Sequence, residues 1–159
     1  MKSLVWFRND LRMDDNPALR AACAESEEVH ALYIYSNHQM KLHDEANCKI
    51  EFIIKNLKSL EKSLNEINIP LTIISSKGPN NDPSIILNLI NERSIKNIFL
   101  NNEFGVDEEY RDKEVQGFLE QNNINYFSYD AQVLFPPGTF KTGEGKPYSV
   151  FTPFKKRWI

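Results

Sequence analysis

Three acids in a row, Asp107, Glu108 and Glu109, follow a short apolar run (NIFL, 97–100) and open a helical pattern. Acids at a helix start complement the helix dipole, by roughly 0.3–1 kcal/mol each. Glu109 has an ordinary partner in Lys113, four residues on in the favourable order. Glu108 meets a like charge, Asp112, at that spacing, and only Arg111 at i+3 offers it a cation. A carboxylate so placed can accept two parallel N–H bonds from a planar, amidine-like ring edge. Pterins and guanines present such an edge. A structural role and a ligand-binding role are both open to Glu108. A second charged cluster, RNDLRMDDNP (8–17), packs Arg8, Asp10, Arg12, Asp14 and Asp15 into one loop. Two readings are open there: a self-paired surface turn with a helix cap, or a staple to a neighbouring domain.

Both clusters must be positioned by something. Five short β-rich runs are visible: SLVWF (3–7), VHALYIYS (29–36), LTIIS (71–75), NIFL (97–100) and NYFSY (125–129). Helical patterns lie between them. Asn16 and Pro17 read as cap and first residue of one helix. Ile50, Ile53, Leu57, Leu60, Leu64 and Ile67 form one face of a long second helix. Asp82 and Pro83 read as a capped start, and Asp107 as an N-cap, for the next two. Gly117 weakens the last of these by about 1 kcal/mol relative to alanine. Strand–helix alternation closed by a fifth strand predicts an open, doubly wound five-stranded parallel α/β sheet, Rossmann-like, in a single domain. In such sheets ligands gather at the carboxyl ends of strands, near the reversal of strand order. The loops after the first and fourth strands, which carry the two charged clusters, would flank that point.

Several chemistries are excluded or disfavoured. Neither G-x-G-x-x-G nor G-x-x-x-x-G-K-[ST] occurs, so the common glycine-rich phosphate cradles are missing. No serine or cysteine sits in a G-x-S-x-G elbow. His38 and His43 have no second ligand at metal spacing and read as loop histidines, so no metal site is expected. Cys23 and Cys48 are too few for a disulfide framework and are expected reduced. Net charge is −3, which argues against the chain as a whole being an electrostatic nucleic-acid binder. Lys155, Lys156 and Arg157 read as a solvated face. No apolar run reaches membrane-spanning length, and Arg8 and Asp10 come too early for a signal peptide, so no membrane partner and a cytoplasmic location are expected.

After Tyr129 the periodicity stops. Residues 131–159 read as an exit loop leading to a new helix, with Thr152 as cap, Pro153 in the first turn, and Phe154 and Trp158 on one face. The opening LVWFRNDLRMDDNPAL and the closing VLFPPGTFKTGEGKPYSVFTPFKKRW resemble the N-terminal domain of the DNA photolyase/cryptochrome family. The resemblance implies an antenna-binding domain at 1–130 and a linker at 131–159, running to an FAD-binding helical domain in cis. It implies light-driven repair of cyclobutane pyrimidine dimers by a monomeric parent protein, which reaches UV-damaged DNA through that second domain. This chain alone would hold no catalytic residue. The antenna implied is 5,10-methenyltetrahydrofolate, and its implied contacts are Asp107 and Glu108. Folate-using members carry Asn where Asp107 stands, so that position departs from the pattern. Many members carry an arginine about where Cys48 stands, with Lys49 only nearby. Trp6 and Trp158 are expected to be packing residues. Two other readings stay open: a cryptochrome photoreceptor domain, and a free-standing nucleotide-binding α/β protein.

Overall fold

A computed structural model describes residues 1–36, 40, 44–78 and 81–159. His38 and His43 lie outside the described residues. The β-rich runs form β1 (Lys2–Phe7), β2 (Glu28–Ser36), β3 (Leu71–Ser76), β4 (Asn97–Asn101) and β5 (Asn125–Tyr129). All pair in parallel, in the order β3-β2-β1-β4-β5. The connecting helices are α1 (Pro17–Glu25), α2 (Asn47–Glu66), α3 (Asp82–Arg93) and α4 (Val106–Gln121), and a terminal α5 spans Phe151–Trp158. The doubly wound five-stranded sheet expected from the sequence is the sheet observed.

Side chains alternate across a strand, and that alternation builds two cores. Val5 and Phe7 of β1 join Ala31, Tyr33 and Phe99 on one face, under Ala18, Leu19 and Ala22 of α1 and Leu57, Leu60 and Leu64 of α2. Leu4 and Trp6 join Leu32, Ile98 and Leu100 on the other, under Ile86, Leu89 and Ile90 of α3 and Val115 and Leu119 of α4. Each fully buried Leu, Ile or Phe contributes about 1.5–3 kcal/mol. Both faces are covered, as an all-parallel sheet requires.

The helix starts follow the sequence in part. Asn16 caps α1, its Oδ1 accepting from the Leu19 N–H at 3.1 Å, with Pro17 next. The cap of α3 is Asn81 rather than Asp82, whose side chain is instead buried. The cap of α4 is Gly105 rather than Asp107, which is the second residue of the helix. The α4 helix runs unbroken through Gly117. In α2 the inward face ends at Leu64; Ile67 falls beyond the helix and is 47% exposed. Val150, not Thr152, precedes α5, and Pro153 sits third in it. An early Pro is tolerated there because the first turn's N–H groups have no intrahelical partners.

Residues 130–150 contain no helix or strand. Their rings pack on α5 edge to face: Phe135 on Phe140 at 4.9 Å, Phe140 on Phe154 at 6.0 Å and Phe135 on Trp158 at 6.4 Å. No residue of α5 is buried. Trp6 is a core residue as expected, whereas Trp158 is 41% exposed and meets the Phe135 ring at 80°.

Candidate functional site

Strand order reverses at β1, which has β2 on one side and β4 on the other. Beyond the carboxyl ends of these strands lies the 8–16 loop, facing the 102–105 loop and the start of α4. The 8–16 loop is self-paired in part, Asp10 accepting from the Arg8 N–H and Arg12 donating to the Asp15 carbonyl, but Arg8 and Asp10 do not lie on the surface. Both are buried and tied to β4 and α4. Alternation along β1 explains this: Trp6 and Arg8 share a side of the sheet, and Arg8 extends the apolar face past its edge.

Arg8 Nη1 alone donates to both Asp112 carboxylate oxygens, at 2.9 and 3.0 Å, a charge-assisted contact shared by one nitrogen. Its Nη2 donates to the Asn101 carbonyl. Arg111 donates to Glu103 Oε2 at 2.8 Å and to Asp112 Oδ1 at 2.7 Å. Glu103 also accepts from Asn9 Nδ2 at 2.5 Å. Both guanidiniums lie over the Trp6 ring, 4.8 and 5.1 Å from its centroid. Two cations and two anions thus balance in a site almost closed to water. Burial pushes the Glu103 carboxyl up, but the Arg8 charge and the Arg111 and Asn9 contacts outweigh it and hold it below its ordinary value. For Arg111, burial works against the charge, while Asp112 and Glu103 overcome it and raise the pKa.

Asn101 locks the loop from the other side. Its Nδ2 donates to Asp10 Oδ2 at 2.6 Å and to Asn16 Oδ1 at 2.8 Å. Its Oδ1 accepts from the Ala18 N–H at 3.2 Å. Asp10 accepts in turn from the Arg8 N–H at 2.8 Å. The end of β4, the 8–16 loop and the start of α1 are therefore one hydrogen-bonded unit.

This frame borders a cleft of about 220 Å³, walled by Asn9, Tyr33, Lys49, Ile53, Glu108 and Arg111 among others. Arg8, Asn9, Tyr33, Lys49 and Ile53 also wall an adjoining hollow of about 280 Å³ that reaches Phe52. Tyr33 is 7% exposed, and its hydroxyl has no partner among the described residues. Burial, with the nearby Glu103 and Tyr35, pushes its pKa up to about 12, so it is a donor at any ordinary pH. Lys49 pairs with Glu45 at 2.5 Å.

Glu108 is half-buried in the cleft wall and forms no hydrogen bond or ion pair among the described residues. Its i+3 neighbour Arg111 is spent on Glu103 and Asp112. Glu109 pairs with Lys113 at 3.5 Å, as its spacing predicts. Asp107 is exposed and does not border the cleft, so the structure does not bring Asp107 and Glu108 together there. The cation at the start of α2 is Lys49; Cys48 is exposed and stands outside the wall. Tyr33, Glu103 and Asn101 escape sequence reasoning. Asn101 leaves one trace, a polar residue closing an otherwise apolar strand.

Residues 3–159 match the family model for DNA photolyase. The chain is 38% identical over 157 residues to the deoxyribodipyrimidine photo-lyase of Escherichia coli (strain K12), covering 98% of this chain and 33% of that protein. It is 29% identical over 158 residues to cryptochrome-2 of Arabidopsis thaliana, covering 99% of this chain and 25% of that one. Among solved structures, a bacterial class III photolyase from Agrobacterium tumefaciens superposes with a TM-score of 0.79 at 27% identity, over 98% of this chain and 31% of that one. The chain spans about a third of the length of the curated photolyases it matches.

Proposed function

The chain belongs to the DNA photolyase family, and we propose that it forms the antenna-chromophore-binding domain of a deoxyribodipyrimidine photolyase. In this reading residues 1–130 are the α/β body and 131–159 connect it to a helical FAD-binding domain. That second domain carries out light-driven repair of cyclobutane pyrimidine dimers and meets the damaged DNA, and this chain contributes no catalytic residue. The observation that carries the reading is the cleft at the strand-order reversal. The Glu108 carboxylate and the Tyr33 hydroxyl, both unpartnered among the described residues, border the same hollow as Lys49.

These residues fit a flat, nitrogen-rich ring. At about 220 Å³ the cleft is smaller than common ligand pockets of roughly 300–1,000 Å³. It can take up a flat ring system. Glu108 would accept the N–H donors of a pterin edge, as in 5,10-methenyltetrahydrofolate. Tyr33 would donate to a ring oxygen or nitrogen, and Lys49 would exchange Glu45 for an anionic arm of the ligand. Ile50 and Ile53 would cover a ring face and exclude water. When bound, the chromophore supplies light absorption and passes its excitation to the flavin. Asp107, at the solvent side of the helix mouth, would act on the ligand only through its charge.

The test is near-ultraviolet absorbance of the purified native gene product and of its Glu108→Ala variant. Loss of a charge-assisted pair of hydrogen bonds lowers folate affinity by about ten- to a hundredfold. Full retention of the chromophore by the variant would remove Glu108 from the site. The similarity to cryptochrome-2 over 99% of the chain supports a second reading, a photoreceptor domain of the same build. Dimer repair by the native gene product under blue light separates the two.

A further inference from the structure

The root of the exit segment is held from two sides. Asn102, just past β4, donates from Nδ2 to Asp130 Oδ1 at 2.7 Å. Its N–H donates to the Tyr129 carbonyl at 2.6 Å. Arg12, in the loop after β1, donates from Nη2 to the Ala131 carbonyl at 3.1 Å, across 119 residues. The same nitrogen donates to the Asp15 carbonyl at 3.1 Å, and no ion pair claims the guanidinium among the described residues. Both holds stand on firm ground. The Arg12 N–H donates to the Asp10 carbonyl at 2.6 Å, and Asn16 Nδ2 donates to the Arg12 carbonyl at 3.0 Å. Arg12 and Asn102 thus belong to the hydrogen-bonded unit that also carries Arg8 and Asn9 of the cleft wall.

Past Ala131 the attachment ends. Residues 132–139 are exposed throughout. Among the described residues, no hydrogen bond, ion pair or ring contact joins 132–159 to residues 1–131. The segment packs on itself instead, through Phe135, Phe140, Phe154 and Trp158. Pro136 and Pro137 fix two of its φ angles. A self-packed segment on a narrow root moves as one piece, so a small tilt at 130–131 is carried to its far end.

We infer that Arg12 and Asn102 are positioning residues: together they clamp Asp130 and Ala131, and so set the distance and angle between a chromophore in the cleft and the flavin of the following domain. The inference rests on the antenna reading above. Two domains of one chain move against each other unless their contact is large and apolar. Excitation transfer falls steeply with separation and depends on the angle between the two transition dipoles. A clamped root narrows both. Arg12 Nη2 is a charged donor, and such bonds are roughly twice as strong as neutral ones.

The experiment uses the native gene product loaded with 5,10-methenyltetrahydrofolate. The emission lifetime of the bound chromophore reports transfer to the flavin. The variants are Arg12→Met, Asn102→Ala and their pair, with Arg20→Met removing an exposed cation of α1 as control. Losing one such bond multiplies the loosened fraction by about two- to tenfold. The lifetime should therefore lengthen and spread over several values in each single variant, and further in the pair. Chromophore affinity should stay within about twofold of the native value. Dimer repair under light absorbed only by the flavin should not change. Loss of stability alone would lower the melting temperature and leave the lifetime of the folded protein as it was. If one variant fails to fold, the other still decides, since the two side chains sit on separate loops. A native lifetime in the folded variants, or the same lengthening in Arg20→Met, would overturn the inference and leave the antenna reading standing. A native product whose bound folate shows no transfer to flavin would overturn both.

Discussion

Glu103→Gln is the sharpest test of the charged frame around the cleft. The substitution keeps the shape and removes one of four buried charges. The Glu103 side chain is 4% exposed, and it accepts from Arg111 at 2.8 Å and from Asn9 at 2.5 Å. Removing one member of a buried ion pair costs roughly 3–5 kcal/mol. Asp112 still neutralises one guanidinium through its contact with Arg8 Nη1, so the low end, about 3 kcal/mol, applies. In a domain of this size that lowers the melting temperature by about 6–12 °C. Urea unfolding followed by circular dichroism, with Arg111→Met and the double variant, gives the pairwise coupling. That coupling should exceed about 1 kcal/mol. The pH dependence supplies a second handle. A carboxyl whose folded pKa lies below its unfolded value stabilises the fold above the unfolded value and loses that contribution as pH falls through the folded one. Glu103 is such a group, held below its ordinary 4.5. The gap between the native protein and Glu103→Gln should thus be full at pH 7 and close as the solution is acidified below 4.5. A gap under about 1 kcal/mol at pH 7, strict additivity, or a gap that ignores pH would refute the reasoning.

Two other substitutions probe the frame and the cleft separately. Asn101→Ala removes three hydrogen bonds and strips the buried Asp10 carboxylate of a donor; it should cost roughly 2–4 kcal/mol in urea unfolding, and a loss below about 1 kcal/mol would show that the loop is held by other means. Tyr33→Phe deletes a hydroxyl without a partner among the described residues, so stability should move by less than about 0.5 kcal/mol while chromophore affinity falls about fivefold; unchanged affinity would take Tyr33 out of the site.

Much of the scaffold was legible because it is local. The five apolar runs match the five strands to within a residue at either end, and Asn16–Pro17 marks the start of α1 as its chemistry requires. Caps were harder where several candidates crowd together. Asp82 and Asp107 have the right chemistry, but Asn81 and Gly105 take the places, because capping depends on where the chain leaves its preceding loop. Around the cleft, only Glu108 stands out in the sequence, by its unmatched i+4 spacing. Arg8 and Asp112 carry no mark of each other in the sequence, and their pairing exists only because β1 and β4 lie side by side. Tyr33 reads as one more apolar strand residue; its hydroxyl matters only because β2 ends beside a hollow. Arg8 and Asp10 read as part of a self-paired turn or of a staple to a neighbouring domain, and tertiary structure buries them both.

The ion pair between Arg8 and Asp112 joins positions 104 residues apart. A growing polypeptide therefore completes this clasp late. β1, β2 and α1 can associate soon after they emerge, but the clasp over Trp6 waits until α4 has been synthesised and has swung across the sheet. Until then the nascent chain carries a positive charge at the tip of its first strand with no counterpart, and the groove beside it has no floor.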